Sequence, residues 1–520
     1  MNSKEDGLAG TGVIVPTQDS TTQPGPSSVP APAEFKGKAV RGGAATVFGQ
    51  GVDMTLQVGT TIILARLLSP TDYGLQAMVL TLTNFLSLFK DAGLSAASIQ
   101  RENLTHEEIS TLFWINVGVG TLLAILVACL APLLAHFYKD PRLLAITLAS
   151  APIFLFNSLS VQHNALLNRA MRFGATVKID VFANMIGTAV AIGMAALGFG
   201  YWSLICQNIS IPIAVMMGAW IAMPWFPGRP RWTPTLRSMV RFGGTVTTNG
   251  VVSYVSYNTE KVLLGRFWGA APLGIYGRAY QLINLPMQQL MQAVGAVAFP
   301  VLSRMQNDVE RLRRSYLKAH SMVVSITVPV VIGCTLFADE IVRILLGPKW
   351  MAVSLILRLL APTIMVWALI NPFSWLLKAT DRVLRSLKIA LFIAPVVIFG
   401  VAAGLGHGAP GVAVGYSTAM VLLAFPAVAW AKHGTGITNR DYFDCIKRPL
   451  AAGVVGGAAG WVFRSAFQNT LPAIPLLFTE SAVVFSVYAC LLLFVMKQKD
   501  MYIDVWTHLI QRGGQAAAKS

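Results

Sequence analysis

The sequence has little charge: Asp, Glu, Lys and Arg make up only 12% of its 520 residues, whereas 54% are hydrophobic. A water-soluble protein of this length would need far more charge to cover its surface. The mean hydropathy is +0.60. Fourteen apolar runs between residues 43 and 496 have about 20 residues, the length that crosses a hydrocarbon core as a helix. The sequence therefore predicts an all-α polytopic membrane protein.

Sequence motifs of catalysis are also lacking. There is no Walker A segment, no HExxH and no GxSxG in a suitable context, and His106-Glu107-Glu108 has no second His at the required spacing. The five cysteines show no CxxC or Cys/His spacing, which argues against a zinc site or a disulfide framework. We therefore predict that the protein is not an enzyme and holds no metal or cofactor.

Basic residues are in excess, with 40 Lys and Arg against 23 Asp and Glu and a net charge of +17. Nucleic-acid binding would require these residues to share one exposed face, but they are scattered among short loops, so we predict no nucleic-acid partner. With the N-terminus inside, 28 basic residues fall on the cytoplasmic side of the predicted spans and eight on the outer side. Because Lys and Arg favour the cytoplasmic side, both termini are predicted to be cytoplasmic.

The chain divides by composition and by an internal repeat. Arg66 in ILARLLSPTDYG and Arg266 in LLGRFWGAAPLGIYG are 200 residues apart, and Tyr73 and Tyr276 are 203 apart. Such a repeat predicts two parallel six-helix lobes with a cavity between them. The predicted division is a disordered cytoplasmic tail (1–37), an N-terminal lobe with helices 1–6 (38–224), a C-terminal lobe with helices 7–12 (225–434), two additional helices (435–498) and a cytoplasmic tail (499–520).

Polar residues form stripes at helical spacing on several predicted spans. The stripes include Gln50, Asp53 and Gln57 on the first span, Asn249 and Glu260 on the seventh, and Gln288 and Gln292 on the eighth. One such stripe is readily explained by hydrogen bonding between packed membrane helices. Stripes on equivalent helices of both lobes favour a water-filled cavity instead, and charged groups at membrane depth persist mainly where they face water or a partner. We therefore expect Asp53 and Glu260 to line this cavity.

Five basic residues are predicted to lie near the same cavity, where they would suit an anionic substrate. Alternatives remain for four of them: Arg66 and Arg266 could extend to the outer interface, Lys261 could pair locally with Glu260 or point elsewhere, and Lys90-Asp91 could be a buried structural pair. The predicted substrate-binding residues are Arg66, Lys90, Lys261, Arg266, Arg358, Gln50, Gln57, Asn249, Gln288 and Gln292. The predicted coupling residues are Asp53, Glu260 and Asp91.

The segments LARLLSPTDYG, FKDAGLSAASIQR (residues 89–101) and EKVLLGRFWGAAPLGIYGRAYQLINLP (residues 260–286) resemble the Wzx-type flippases of the multidrug/oligosaccharidyl-lipid/polysaccharide exporter superfamily. The resemblance covers roughly residues 38–496. It implies a flippase that moves a polyprenyl-diphosphate-linked oligosaccharide across the bacterial inner membrane by alternating access, for exopolysaccharide or lipopolysaccharide synthesis. It also implies membrane lipids as partners, together with a polysaccharide polymerase and export proteins. Glu260 departs from the Asp usual in the family.

Two alternatives remain at this point. An ion-coupled drug exporter of the same superfamily would share the twelve-helix core but would not need basic residues that hold a diphosphate. A membrane polymerase, ligase or glycosyltransferase is disfavoured, because such proteins resemble families with a long extracytoplasmic loop or a soluble catalytic domain, and the predicted outer loops are short.

Overall fold

A computed structural model describes residues 32–90, 105–231, 254, 258–467 and 472–496. This part of the chain is helical and contains no strand. Its α-helices are α1 (Pro32–Leu67), α2 (Pro70–Ser87), α3 (His106–Tyr138), α4 (Arg142–Ser150), α5 (Ile153–Arg169), α6 (Phe173–Ala196), α7 (Trp202–Ala222), α8 (258–268), α9 (Ala270–Arg304), α10 (Val309–Leu336), α11 (Ala338–Leu345), α12 (Ala352–Ile370), α13 (Phe373–Ala379), α14 (Val383–Gly404), α15 (Gly408–Lys432), α16 (Asn439–Phe467) and α17 (Ala473–Cys490).

The predicted membrane fold is confirmed. Within the described residues, ten helical segments are long and apolar enough to cross a membrane, from His106–Tyr138 to Pro475–Val495. At about 1.5 Å per residue, even the 21-residue segments reach about 30 Å, the thickness of a hydrocarbon core. The chain is therefore a multi-pass helical membrane protein.

Helix boundaries follow local chemistry. Ser69 and Asp72 form a capping box at the start of α2, and Thr105 and Glu108 form another at the start of α3. In each box the hydroxyl accepts a hydrogen bond from the third helical N–H while the carboxylate accepts one from the cap residue, which satisfies donors that the helix start leaves free. These two boxes fix where the chain enters its second and third long helices.

Three predictions differ from the structure. The predicted span at 143–165 is the pair α4–α5, and the span at 352–377 is the pair α12–α13, because Pro152 and Pro372 each interrupt the backbone hydrogen-bond ladder. Helix α1 begins at Pro32, inside the region predicted as a disordered tail. The rest of that tail, residues 1–31, lies outside the described residues, as do residues 497–520.

The two additional helices pack against the C-terminal lobe. The Tyr488 hydroxyl of α17 donates to the Ser325 carbonyl of α10 at 2.8 Å. The Arg464 guanidinium of α16 forms a 2.5 Å ion pair with Glu340 of α11 and lies 3.8 Å from Glu480 of α17. One arginine thus links both additional helices to α11.

The lobes meet where α2 crosses α9. A Cβ atom on Gly74 would lie 1.7 Å from the Ala270 carbonyl oxygen, and one on Gly274 would lie 1.9 Å from the Pro70 carbonyl oxygen. Both glycines are therefore required for the backbones to approach this closely. The two contacts are reciprocal: Gly74 lies against Ala270, and Gly274 lies against Pro70. The repeat offset of 200 residues thus corresponds to a local two-fold relation between the lobes.

Candidate functional site

The predicted basic residues Arg66 and Arg266 both lie at the contact between the lobes. Arg66 Nη2, at the end of α1, donates to the Ile344 carbonyl at 3.1 Å in the C-terminal lobe. The Arg266 guanidinium, at the end of α8, lies 5.6 Å from the ring centroid of Phe137 in the N-terminal lobe. Each arginine therefore reaches the opposite lobe.

Aromatic residues extend this contact. Trp350 is fully buried, its Nε1 donates to the Ala65 carbonyl at 2.7 Å, and its ring meets Tyr73 edge-on at 5.4 Å. On the other side of Tyr73, the Arg278 guanidinium lies 3.4 Å from the ring centroid. Tyr73 of the N-terminal lobe is thus held between two side chains of the C-terminal lobe. We call the contacts made by Ala65, Arg66, Tyr73, Gly74, Arg266, Gly274, Arg278 and Trp350 the lobe contact.

Glu260 and Lys261, at the start of α8, point in different directions. Glu260 is only 1% exposed, and neither of its carboxylate oxygens has a hydrogen-bond partner among the described residues. Lys261 Nζ instead donates to Asn258 Oδ1 at 2.7 Å and lies 4.9 Å from the Tyr280 ring centroid. In this conformation the Glu260 side chain is therefore enclosed by protein, and its place on the wall of an open cavity stays a prediction.

Asp53 on α1 is half-buried against α6. Its Oδ1 accepts a 3.1 Å hydrogen bond from Asn184 Nδ2, and Asp180, one turn earlier on α6, is close enough for charge repulsion between the two carboxylates. Two turns beyond Asp53, the Thr60 hydroxyl bonds the Thr188 hydroxyl at 2.9 Å. Part of the α1 stripe therefore serves packing within the N-terminal lobe, as the simpler explanation of a single stripe holds.

Lys90 and Arg358 are engaged inside their own lobes. Lys90 Nζ donates to Asn157 Oδ1 of α5 at 3.3 Å. Arg358 Nη2 forms a 2.6 Å ion pair with Asp339 of α11. Burial raises the pKa of Asp339, but hydrogen bonds from Ser354 and Arg358 outweigh it and hold the pKa below its usual value. Asp339 is therefore ionised at neutral pH and keeps Arg358 paired.

The predicted glutamines are exposed. Gln50 and Gln57 lie two turns apart on α1, and Gln288 and Gln292 lie one turn apart on α9. Polar groups on membrane helices are costly when they face lipid, so such faces are typical of helices that line a water-filled space. The predicted residues Asn249 and Asp91 lie outside the described residues.

Sequence reasoning missed three contributors. Asp180 and Asn184 are four residues apart in an apolar run, which is a polar face of its own. Arg278 is one of the eight basic residues on the predicted outer side, and it follows Tyr276-Gly277 in the repeated segment. The sequence contains the spacing in both cases. It does not show that the helices these residues contact are α1, which carries Asp53, and α2, which carries Tyr73.

Residues 63–355, more than half of the chain, match the family described as polysaccharide biosynthesis protein. The chain belongs to this family. Among curated relatives in this group, the teichuronic acid biosynthesis protein TuaB of Bacillus subtilis is 28% identical over 63% of this chain and 68% of its own length. The lipopolysaccharide biosynthesis protein WzxC of Escherichia coli is 26% identical over 69% of this chain and 74% of its own length.

Solved structures place this family member in a known transporter fold. A lipid II flippase, MurJ, in an inward closed conformation superposes with a TM-score of 0.70 at 15% identity, covering 89% of this chain and all of MurJ. An inward-facing multidrug MATE transporter gives a TM-score of 0.59 at 14% identity, covering 74% of this chain and 94% of that one. The predicted two-lobe fold class is thereby confirmed.

Proposed function

We propose that this protein is a flippase that translocates a polyprenyl-diphosphate-linked oligosaccharide across the bacterial inner membrane by alternating access. The observation that carries the proposal is the lobe contact. Two lobes joined by a reciprocal crossing at Gly74 and Gly274 can rock about that crossing while each lobe stays rigid. Rocking of one repeat against the other is how transporters built from repeats expose a central site to each side in turn.

The exposed polar faces of α1 and α9 support a hydrophilic path between the lobes. Gln50 and Gln57 belong to the N-terminal lobe, and Gln288 and Gln292 to the C-terminal lobe. A sugar chain presents many hydroxyl groups, each a donor and an acceptor, and glutamine amides can satisfy both roles. We assign the sugar to these faces, together with Asn249.

Basic residues would bind the diphosphate. Lys261 is half-buried at the start of α8, where it donates to Asn258 and faces the Tyr280 ring; among the described residues this uses one of its three N–H donors and leaves two for a phosphate. Arg66 and Arg266 would act at the end of the path, where a moving lobe releases them from their cross-lobe partners. Lys90 and Arg358 are bound within their lobes and would contribute mainly to the local potential.

The carboxylates Asp53 and Glu260 are proposed to couple transport to a cation, with Asp180 as a third member and Asp91 as a further candidate. A coupling group must interact differently with its surroundings in the two facing states. Glu260 is enclosed here without a hydrogen-bond partner among the described residues, and lobe rotation that exposed it would change its hydration.

Topology and partners belong to the same proposal. The excess of basic residues in one set of loops supports cytoplasmic termini, with the lobe contact on the outer side of the inner membrane. The lobes would span 38–224 and 225–434, followed by the two additional helices of 435–498. A polysaccharide polymerase acting on the outer leaflet would consume the product.

The proposal is tested by reconstitution into liposomes with a fluorescent polyprenyl-diphosphate oligosaccharide. Active protein should make the labelled lipid in the inner leaflet accessible to a membrane-impermeant quencher, and cells lacking the gene should accumulate the lipid-linked oligosaccharide facing the cytoplasm. Lys261→Gln should reduce the rate by about tenfold, the typical effect of losing a charge-assisted hydrogen bond. Equal quenching in protein-free liposomes and in liposomes that contain the protein would refute the proposal that it is a flippase.

A drug exporter is the second candidate, because the MATE transporter shares the fold and the buried carboxylates would suit ion coupling. The same liposomes, loaded with ethidium and given a proton or sodium gradient, distinguish the two. Gradient-driven ethidium efflux without flipping of the labelled lipid would favour the exporter. An enzyme would instead change the chemical structure of the labelled lipid, which mass spectrometry of the recovered lipid detects.

A further inference from the structure

A cleft of about 570 Å³ lies at one end of the lobe contact. One wall is the end of α3 and the turn into α4, from Leu133 to Pro141, and the other is Arg266 of α8. The first wall belongs to the N-terminal lobe and the second to the C-terminal lobe. A ligand in this cleft would therefore contact both lobes at once.

Three basic side chains face the cleft without an ion-pair partner among the described residues. His136 and Lys139 are exposed, and Arg266 is half-exposed with its guanidinium near the Phe137 and Phe267 rings. Unpaired basic groups converging from two lobes create a positive potential that an anion can neutralise. A guanidinium and an ammonium together can donate several hydrogen bonds to phosphate oxygens.

The single carboxylate of the cleft does not cancel this charge. Asp140 accepts three hydrogen bonds from Arg142, at 3.0 Å from the backbone N–H, 3.0 Å from Nε and 2.7 Å from Nη2. These bonds hold the pKa of Asp140 below its usual value, so it is ionised and neutralises Arg142. The Ala135 and His136 carbonyls at the end of α3 accept backbone hydrogen bonds from Asp140 and Lys139, which satisfies part of the acceptor capacity of the helix end.

The cleft also has an apolar border. Leu133 is 61% exposed and Phe137 39% exposed, and both belong to the last turns of a membrane-crossing helix. Apolar side chains next to basic ones at a helix end are typical of the membrane interface, where lipid tails meet phosphate groups. A soluble anion would make no favourable contact with Leu133 and Phe137, whereas a lipid would contact them with its first methylene groups.

We propose that this cleft binds the phosphate of a lipid in the outer leaflet, with Arg266, Lys139 and His136 on the phosphate and Leu133 and Phe137 against the chain. The site adds a lipid-binding position to the proposed function, and the assignment of the cleft to the outer leaflet rests on that proposal. Two lipids carry the same chemistry: the translocated polyprenyl diphosphate and an ordinary anionic phospholipid. Because the site needs both lobes, a bound lipid stabilises the conformation in which the lobe contact is closed.

The test is photocrosslinking from Leu133→p-benzoylphenylalanine in nanodiscs of a neutral galactolipid, which carries no phosphate of its own. Each nanodisc contains one labelled probe at a low, non-saturating fraction: phosphatidylglycerol, undecaprenyl diphosphate or undecaprenol, which has the same chain without phosphate. We expect crosslinking to at least one phosphate-bearing probe, and the probe with the higher crosslinking yield identifies the lipid source. The yield with undecaprenol should be about tenfold lower, because charge-assisted hydrogen bonds to the phosphate are lost. Equal yields with undecaprenol would overturn the proposal.

Side-chain substitutions complete the test. Lys139→Gln and Arg266→Gln should each lower crosslinking to the phosphate-bearing probe by about tenfold. The matched control is Arg343→Gln, an exposed basic residue of α11 outside the cleft, which should leave the yield unchanged. Unchanged yields in both cleft variants would refute the site. The phosphatidylglycerol probe does not depend on flipping, so failure of the cleft and failure of the flippase assay are separate results.

Discussion

Burial of the Glu260 carboxylate is unfavourable for stability, and a side chain kept at such a cost is a candidate for a functional role. A buried ionised group without partners costs several kcal/mol, and it is usually neutralised or paired. Glu260 has neither a hydrogen bond nor an ion pair among the described residues, while its neighbour Lys261 bonds to Asn258. This cost to stability is what supports the proposed coupling role of Glu260.

Glu260→Gln is expected to leave the melting temperature unchanged or higher, because an amide is less costly to bury than a carboxylate. Export of polymer should fall to the background of a deletion strain, since the amide carries no charge and cannot titrate. Thermal unfolding in detergent and surface polymer quantification measure the two effects.

The matched control is Glu340→Gln, which removes one partner of the 2.5 Å ion pair with Arg464. It should lower the melting temperature, because it leaves the partly buried Arg464 with only the longer 3.8 Å contact to Glu480 among the described ion pairs. If Glu260→Gln behaved like this control, losing stability while keeping export, Glu260 would be a structural residue.

At the scale of elements, the crossing of α2 and α9 depends on two glycines. The carbonyl oxygens of Pro70 and Ala270 occupy the places where side chains at Gly274 and Gly74 would begin. Small residues at such crossings are typical of membrane helices, because close backbone approach maximises packing where no hydrophobic effect operates between helices.

Gly74→Ala and Gly274→Ala should each push the helices apart. We expect destabilisation of roughly 1–3 kcal/mol, the usual cost of overpacking. The control is Gly277→Ala on α9, where a Cβ atom would meet nothing within 4 Å. It should be neutral or slightly stabilising, because Ala favours helix over Gly. Thermal unfolding of the three variants checks this, and equal melting temperatures for all would mean that the crossing tolerates separation.

Helices were more predictable from the sequence than the site was. The length of an apolar run must match the thickness of the membrane, so run length alone indicated nearly every span. The division of two spans into helix pairs at Pro152 and Pro372 is visible only in the backbone structure. The stripe on α1 predicted a polar face correctly, but it could not separate Asp53, bound to Asn184, from the exposed Gln57. Helical periodicity gives the direction of a side chain relative to its own helix and carries no information on which helix lies opposite.

For the whole molecule, the lobe contact should open and close during transport. In a cysteine-free background, Phe137→Cys with Arg266→Cys can be joined by a bifunctional thiosulfonate, since the guanidinium lies 5.6 Å from the ring. The crosslink joins the lobes and should abolish flipping, and a reductant should restore it. Flipping is measured by the quenching assay in liposomes.

The control pair is Phe137→Cys with Pro141→Cys, both in the N-terminal lobe. Its crosslink leaves the lobes free to move and should preserve flipping. Full activity of the crosslinked inter-lobe pair would contradict alternating access through this contact.

The position of the α2–α9 crossing near one end of α9 makes that helix a long lever arm. Gly274 is the fifth residue of a helix that continues to Arg304, which places about 45 Å of helix on one side of the pivot. A rotation of only about 15°, similar to known rigid-body transitions, would move the far end by about 12 Å. Displacement on that scale approaches the width of an extended sugar chain, so a small tilt at two glycines is mechanically sufficient to admit a large cargo.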